Sequence, residues 1–275
     1  MKKSLIVVFM SLLLILNISA SCIPTQPPVS LTVHFIDVGQ GDSILIDLGE
    51  TEVLIDGGSK GTGAANYIGA YVDGPLETIV VTHPHEDHIG GLPAVFDAFE
   101  VQEVWLNGET ATSKAYTDLM NAINTEGSIV HEAKRGMSIQ VGTLVFSVLN
   151  PETPLTDDVN NNSIVLRLSY GETDFLFMGD AQKKAESSML SLLTSTEILK
   201  VGHHGSDTSS STVFLNVIKP ETAIISVAKV NSYHHPAQVT LNDLTAIGAT
   251  IYKTSDSGTI KITTDGNTYT VQTEK

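Results

Sequence analysis

The 275-residue chain has a single cysteine, Cys22, so it can form no internal disulfide and no cysteine-rich structural zinc site. Tryptophan also occurs once and aromatics make up 6% of the residues, while glycine is frequent. That composition is neither fibrous nor disordered. Positive charge is scarce: 15 Lys and Arg stand against 31 Asp and Glu, for a formal charge of −16. Non-specific affinity for nucleic acid comes largely from Lys and Arg neutralising phosphates, so a broad polyphosphate-binding surface is disfavoured. A site that meets one phosphodiester through bound cations is not, because the cations dominate the local field. The apolar run Leu5 to Ile18 is short for a bilayer span.

That run follows Met1-Lys2-Lys3 and precedes the small residues Ser19-Ala20-Ser21, the pattern of a cleaved secretory signal peptide over residues 1–21. Cys22 then stands where a bacterial lipoprotein carries its acylated first residue. Ser19 occupies the position where such sites favour Leu, so ordinary cleavage remains the alternative. Residues 22–30, with Pro24-Thr25-Gln26-Pro27-Pro28, read as an extended tether. Residues 31–272 read as one domain. Without residues 1–21 the chain carries 13 basic and 31 acidic residues, or −18. The expectation is an exported protein, secreted or attached to the membrane through a lipidated Cys22.

Histidine is where the sequence concentrates its chemistry. Thr82-His83-Pro84-His85-Glu86-Asp87-His88 places four potential metal ligands within six residues, directly after the apolar run Thr78-Ile79-Val80-Val81. At a strand end such a cluster is costly unless it holds a cation. Seven of the nine histidines fall in three groups, at 83–88, 203–204 and 234–235. Imidazole and carboxylate donors without thiolate suit zinc, manganese or iron. His34 and His131 lie inside strands and read as packed, half-buried side chains.

Period-2 and apolar runs predict strands at Leu31–Val38, Ser43–Leu48, Glu52–Ile55, Thr78–Val81 and Glu103–Leu106, with helices at 66–72, 91–99 and 113–124. The second half follows with strands at Val141–Leu149, Ser163–Leu168, Thr173–Met178, Ile198–Val201 and Ala223–Val227. Helices are expected at 182–193, 211–218 and 238–247, then closing strands from Ile251 to Val271. Each half runs from a β meander into an αβα segment. Two half-sheets face to face with helices outside make a four-layer αββα sandwich, an α/β fold in one domain.

His83-Pro84-His85-Glu86-Asp87-His88 resembles the His-x-His-x-Asp-His motif of the metallo-β-lactamase superfamily. The Gly39-Gln40-Gly41-Asp42-Ser43, Leu54-Ile55-Asp56-Gly57-Gly58, Asn160-Asn161-Asn162-Ser163, Met178-Gly179-Asp180-Ala181, Lys200-Val201-Gly202-His203-His204-Gly205-Ser206 and His234-His235-Pro236 segments narrow the likeness. In this order they resemble the soluble hydrolase domain of ComEC-type competence (DNA-uptake) proteins, here free-standing. The resemblance implies two divalent ions, Zn2+ or Mn2+, with His83 and His85 on the first and Asp87 and His88 on the second. Asp180 would bridge them and His203 would complete the second site, with His204 as an alternative ligand or a partner behind it. The superfamily usually has a further His between the first cluster and the Gly-Asp turn; here none occurs between His131 and His203. The first ion would then be weakly held, finished by water or an Asn oxygen.

Two cations roughly 3.5–4 Å apart can ionise a bridging water and offset developing negative charge. The implied reaction is attack of that hydroxide on phosphorus, with Asp87 as ligand and base and His235 as donor to a phosphoryl or leaving oxygen. Ser206, Asn161 and Asn162 are further candidates for substrate contact. Asp42 and Asp56 read either as carboxylates orienting ligand imidazoles or as ordinary turn residues, and Asp37 and Gln40 share that ambiguity. The expected activity is a phosphodiesterase or nuclease of extracellular DNA. The alternatives are hydrolysis of small phosphodiesters, phosphorylcholine-type esters or lactones, and a non-catalytic surface binding protein.

Overall fold

The computed structural model describes residues 29–275. The expected leader, Cys22 and the tether through residue 28 lie outside the described residues. The first half lays down β1 (Leu31–Phe35), β2 (Ile44–Asp47) and β3 (Glu52–Ile55) as an antiparallel meander. β4 (Leu76–Val80), β5 (Val101–Leu106) and β6 (Ile129–Glu132) then add in parallel. Helices α1 (Ala64–Ile68), α2 (Glu86–Ile89), α3 (Leu92–Ala98) and α4 (Lys114–Glu126) fall between them. The second half supplies β7 (Ser138–Val141), β8 (Leu144–Asn150), β9 (Val165–Tyr170) and β10 (Thr173–Phe177), all antiparallel. The parallel strands β11 (Ile198–Lys200), β12 (Thr222–Ile225) and β13 (Thr250–Lys253) follow. Helices α5 (Lys183–Met189), α6 (Thr212–Ile218) and α7 (Gln238–Ala246) connect them.

Side-chain alternation sorts these strands into three buried layers. Ile44 and Ile46 of β2 pack inward with Val53 and Ile55 against Phe146, Phe175 and Phe177 of the second sheet. Leu45 and Leu54 point the other way, onto Ile68, Leu92 and Leu119 of the helices. On the second sheet Leu176, Leu199 and Ile225 meet Met189, Phe214 and Leu244 in the same manner. Strands buried on both faces read as continuous apolar runs, and the result is the expected αββα sandwich in one domain. Among the described residues no helix is long and apolar enough to cross a membrane.

Helix ends follow local chemistry. Ser113 caps α4 by accepting from the Tyr116 N–H, and Gly127, at φ 79°, ends it. Ser211 caps α6 in the same way through Phe214.

Three expectations need correction. The closing residues do not all extend the second sheet: after α8 (Thr254–Ser257), β14 (Ile260–Thr264) and β15 (Tyr269–Thr273) return to the first sheet, β14 pairing with β1. The two sheets therefore have eight and seven strands. The expected helix over 182–193 stops at Met189 and tightens into a 3₁₀ turn over Leu190–Leu192. Strand β7 has no counterpart in the expectation, because as an edge strand it buries only Ile139 and Val141.

The parallel strands matter for function. Their carboxyl ends release Asp56 after β3, His83 after β4, Asp180 after β10 and His203-His204 after β11. The loops after parallel strands of both sheets thus open on one side of the molecule, where such folds bind ligands.

Candidate metal centre

Gly41 allows the Gly39–Asp42 turn to pass beneath the His cluster: its φ is +126°, and a Cβ there would lie 2.0 Å from the Asp87 carbonyl oxygen. That approach sets Asp42 against the loop from β11. His203 and His204 both adopt left-handed backbone, at φ 48° and 52°, which costs non-glycine residues roughly 1–2 kcal/mol each. The contortion turns the His204 ring inward and leaves His203 partly exposed.

His88 is fully buried, with Nδ1 2.7 Å from Asp56 Oδ2 and Nε2 3.3 Å from Asp180 Oδ1. His204 Nδ1 donates to the Ser226 carbonyl at 2.9 Å, leaving Nε2 3.3 Å from Asp87 Oδ2 and 3.5 Å from Asp180 Oδ1. His83 Nε2 lies 3.6 Å from Asp180 Oδ2 and 3.0 Å from His85 Nδ1. His203 reaches Asp180 Oδ2 only at 3.8 Å, its Nδ1 meeting Thr208 Oγ1. The ligand atoms of His83, His88 and Asp180 lie within 4.8 Å of one another, as do those of Asp87, His88 and His204. The place expected for His203 beside Asp87 and His88 is thus taken by His204. His203 stands on the His83 side of Asp180.

Electrostatics agree with a cation-binding floor. Burial opposes charge on His88, yet Asp180 and Asp56 hold it well above the usual histidine range. His204 is likewise raised, to about 9, against burial and mainly by Asp180. Burial would raise Asp87 and Asp180, but His204 and His88 pull both below the usual carboxylate range. His83 falls well below, through burial and the neighbouring His88. Three buried atoms that face one another, His88 Nε2, His204 Nε2 and Asp180 Oδ1, have no hydrogen-bond partner among the described residues. Converging orphaned imidazole nitrogens and carboxylate oxygen are the donor set of a divalent cation, so these residues fit one.

The supporting carboxylates are placed by the fold. Asp56 accepts from the Thr82 N–H at 2.8 Å and hydroxyl at 2.6 Å while holding His88. Asp42 lies 3.4 Å from His204 Nδ1 and 2.7 Å from the Lys200 ammonium, which is fully buried. Burial would raise the Asp42 carboxyl, but Lys200 and then His204 bring it down to about 2. Lys200 had no role in the sequence reading; a lysine inside Ile198-Leu199-Lys200-Val201 was the available signal. Asp37 sits apart, accepting from the Gly39 N–H.

A cavity of about 610 Å³ opens above this floor, lined by Asp87, Asp180, His203 and His204 and also by Gln40, Asn160, Tyr233 and His235. Burial, with His203 and His204 nearby, pushes His235 down to about 4, so its ring is neutral at pH 7. Asn161 and Asn162 do not serve as expected. Asn161 bridges Asp158 and the Ala185 N–H, while Asn162 bonds Glu109 and both backbone groups of Thr156. Asn160, which the sequence reading passed over, lines the cavity with a buried, unpartnered Oδ1. Ser206 is buried, its hydroxyl engaged by Thr208 within its own turn.

Two helix-flanked sheets with this His/Asp floor define a metallo-β-lactamase-fold hydrolase. Residues 36–229 match the metallo-beta-lactamase superfamily, and the chain belongs to it. Among curated proteins it is similar to ComE operon protein 3 of Bacillus subtilis (strain 168), 32% identical over 251 residues, covering 83% of this chain and 32% of that protein. Competence protein ComA of Neisseria gonorrhoeae is 31% identical over 241 residues, covering 86% and 32%. The chain spans about a third of the length of these relatives. Two solved structures share the fold: the metallo-beta-lactamase fold protein YhfI from Bacillus subtilis has a TM-score of 0.56 at 12% identity, covering 82% of this chain and 95% of that one. Igni18, a metallo hydrolase from Ignicoccus hospitalis, has 0.57 at 14%, covering 84% and 98%.

Proposed function

We propose that the chain is an exported phosphodiesterase, a nuclease acting on extracellular DNA with two divalent cations, Zn2+ or Mn2+. The observation that carries the reading is the convergence of orphaned His88 Nε2, His204 Nε2 and Asp180 Oδ1 beneath an open cavity. Similarity to a protein named for competence, ComA of Neisseria gonorrhoeae, favours DNA as the substrate. His83, His85 and Asp180, with His203 or Asn160 at the rim, would hold the weaker ion. Asp87, His88, His204 and Asp180 would hold the tighter one.

Cations bound there supply positive charge toward a phosphoryl group and lower the pKa of water. The Asp87 carboxylate stays ionised and accepts from the attacking water, fixing its direction. The neutral His235 ring donates its N–H to a phosphoryl or leaving oxygen, a contact that strengthens as charge develops. Asp56 and the Ser226 carbonyl hold His88 and His204 in single tautomers. Among the described residues that line the cavity, none is Lys or Arg. That favours a second reading, hydrolysis of small phosphodiesters or phosphorylcholine-type esters.

The test is a panel of single-stranded DNA, duplex DNA, RNA and a small aryl phosphodiester with Mn2+ or Zn2+. Cleavage should vanish in Asp87→Ala; activity persisting there with metal content unchanged would sink the assignment. His204→Ala should lose the tighter ion in a metal titration, while His203→Ala keeps it. Export through residues 1–21 and attachment through Cys22 belong to the same proposal. Detergent partitioning that Cys22→Ser leaves unaltered would refute the anchor.

A further inference from the structure

The Ala228–Pro236 loop holds an aromatic ring at the cavity mouth that cation binding does not require. Tyr233 is 64% exposed, and its ring stacks on His235 at 5.6 Å between centroids and 24° between planes. His235 in turn lies 5.3 Å from His203, so two ring-to-ring steps lead from the candidate metal centre to solvent. A lone exposed tyrosine needs no explanation. This one is fixed. Asn231 donates to the Ala228 and His235 carbonyls and accepts from the His235 N–H. Gln40, beside the His cluster, accepts from the Ala228 N–H at 3.4 Å. His234 between the two rings is held at φ 60°, a left-handed conformation that costs a non-glycine residue energy and collects at ligand clamps.

Charge indicates what the ring is for. With no Lys or Arg among the described residues lining the cavity and a formal charge of −16, phosphate contacts by basic side chains there give a polymer little hold. Stacking on an aromatic face can hold one, because every nucleobase has a π-face.

Resting on the nuclease reading, we propose that Tyr233, backed by His235, is a stacking subsite for one unpaired nucleobase beside the scissile phosphate. The enzyme is therefore selective for single strands. A paired base is already stacked within its duplex and cannot reach the ring.

The test compares wild type, Tyr233→Phe and Tyr233→Ala on single-stranded DNA, duplex DNA and a phosphodiester without any ring, glycerophosphoglycerol. Stacking of ordinary strength predicts that Tyr233→Ala raises KM for single strands roughly 5- to 150-fold with kcat within about threefold. Tyr233→Phe should keep wild-type KM, and the ringless diester should be turned over equally by all three. A 2-aminopurine base in a bound single strand should be quenched by wild type and Phe but not by Ala. Single strands cleaved with unchanged KM in Tyr233→Ala would overturn the subsite and leave the nuclease reading standing. A wild type that cleaves no nucleic acid but does cleave the ringless diester would overturn both.

Discussion

Lys200→Met should unfold this protein more readily than its size as a substitution suggests. Lys200 is 0% exposed, its ammonium 2.7 Å from Asp42 Oδ2 and 3.0 Å from the Val201 carbonyl. At an effective dielectric near 20, two unit charges at that separation attract by about 6 kcal/mol, a gain offset by the cost of drying both ions. The pair as a whole is therefore worth little. Its disruption is not, because methionine fills the space but takes the nearest cation from the buried Asp42, leaving only His204 in contact to offset its charge. Breaking such a pair costs about 3–5 kcal/mol, a third or more of a typical domain's stability. The assay is urea unfolding with chelator present, so that bound metal adds nothing to stability. With an m-value near 2 kcal/mol per M the midpoint should fall by roughly 2 M. The double variant Lys200→Met/Asp42→Asn should recover most of the loss, since it removes the stranded charge. A single variant within about 1 kcal/mol of wild type would refute the idea that Lys200 balances Asp42.

Asp56→Asn keeps the shape beside His88 but loses a carboxylate that orients the ring and accepts twice from Thr82. Cation affinity should drop about 10–100-fold by titration calorimetry, and an unchanged affinity would count against that role. Glu52, buried on β3 and paired across from Asp47, is pushed up to about 7 by burial, then by Glu77, Asp73, Asp47 and Glu50. An acid raised in the folded state adds stability that is complete below its ordinary pKa of 4.5 and is lost as pH rises through about 7. Between pH 5 and 8 wild type should therefore lose on the order of 1–2 kcal/mol relative to Glu52→Gln, allowing for solvent screening at its exposed neighbours. Parallel melting profiles for the two proteins would contradict this.

The fold was legible because both sheets bury both faces, so strands such as Glu52–Ile55 stand out as apolar runs ended by turn residues. The return of β14 and β15 to the first sheet was not, since nothing local in Ile260–Thr264 names its partner β1. At the candidate site, the His83 to His88 cluster was legible because its potential ligands are contiguous at a strand end. The choice between His203 and His204 was hidden: both residues sit in left-handed backbone, and only the packed loop decides which ring turns inward. Asn161 and Asn162 misled for a related reason. Their amides answer local needs at Asp158, Glu109 and Thr156, whereas Asn160, one position earlier, faces the cavity.

Charge ties these observations together. Asp42, Asp56, Asp87 and Asp180 gather around His88 and His204, and among the described residues the only ammonium paired with any of them is that of Lys200, on Asp42. Lys200 is fully buried and is not among the residues lining the cavity, so it cannot meet a substrate there. The remaining carboxylates draw positive charge from the His88 and His204 rings, and in the proposed reading from bound cations that would also face a phosphoryl group. An acidic protein thus need not oppose an anionic substrate everywhere, provided recognition is confined to one phosphodiester over the cations. Binding dominated by so few phosphate contacts should depend weakly on salt, unlike that of proteins that track the backbone with many Lys and Arg.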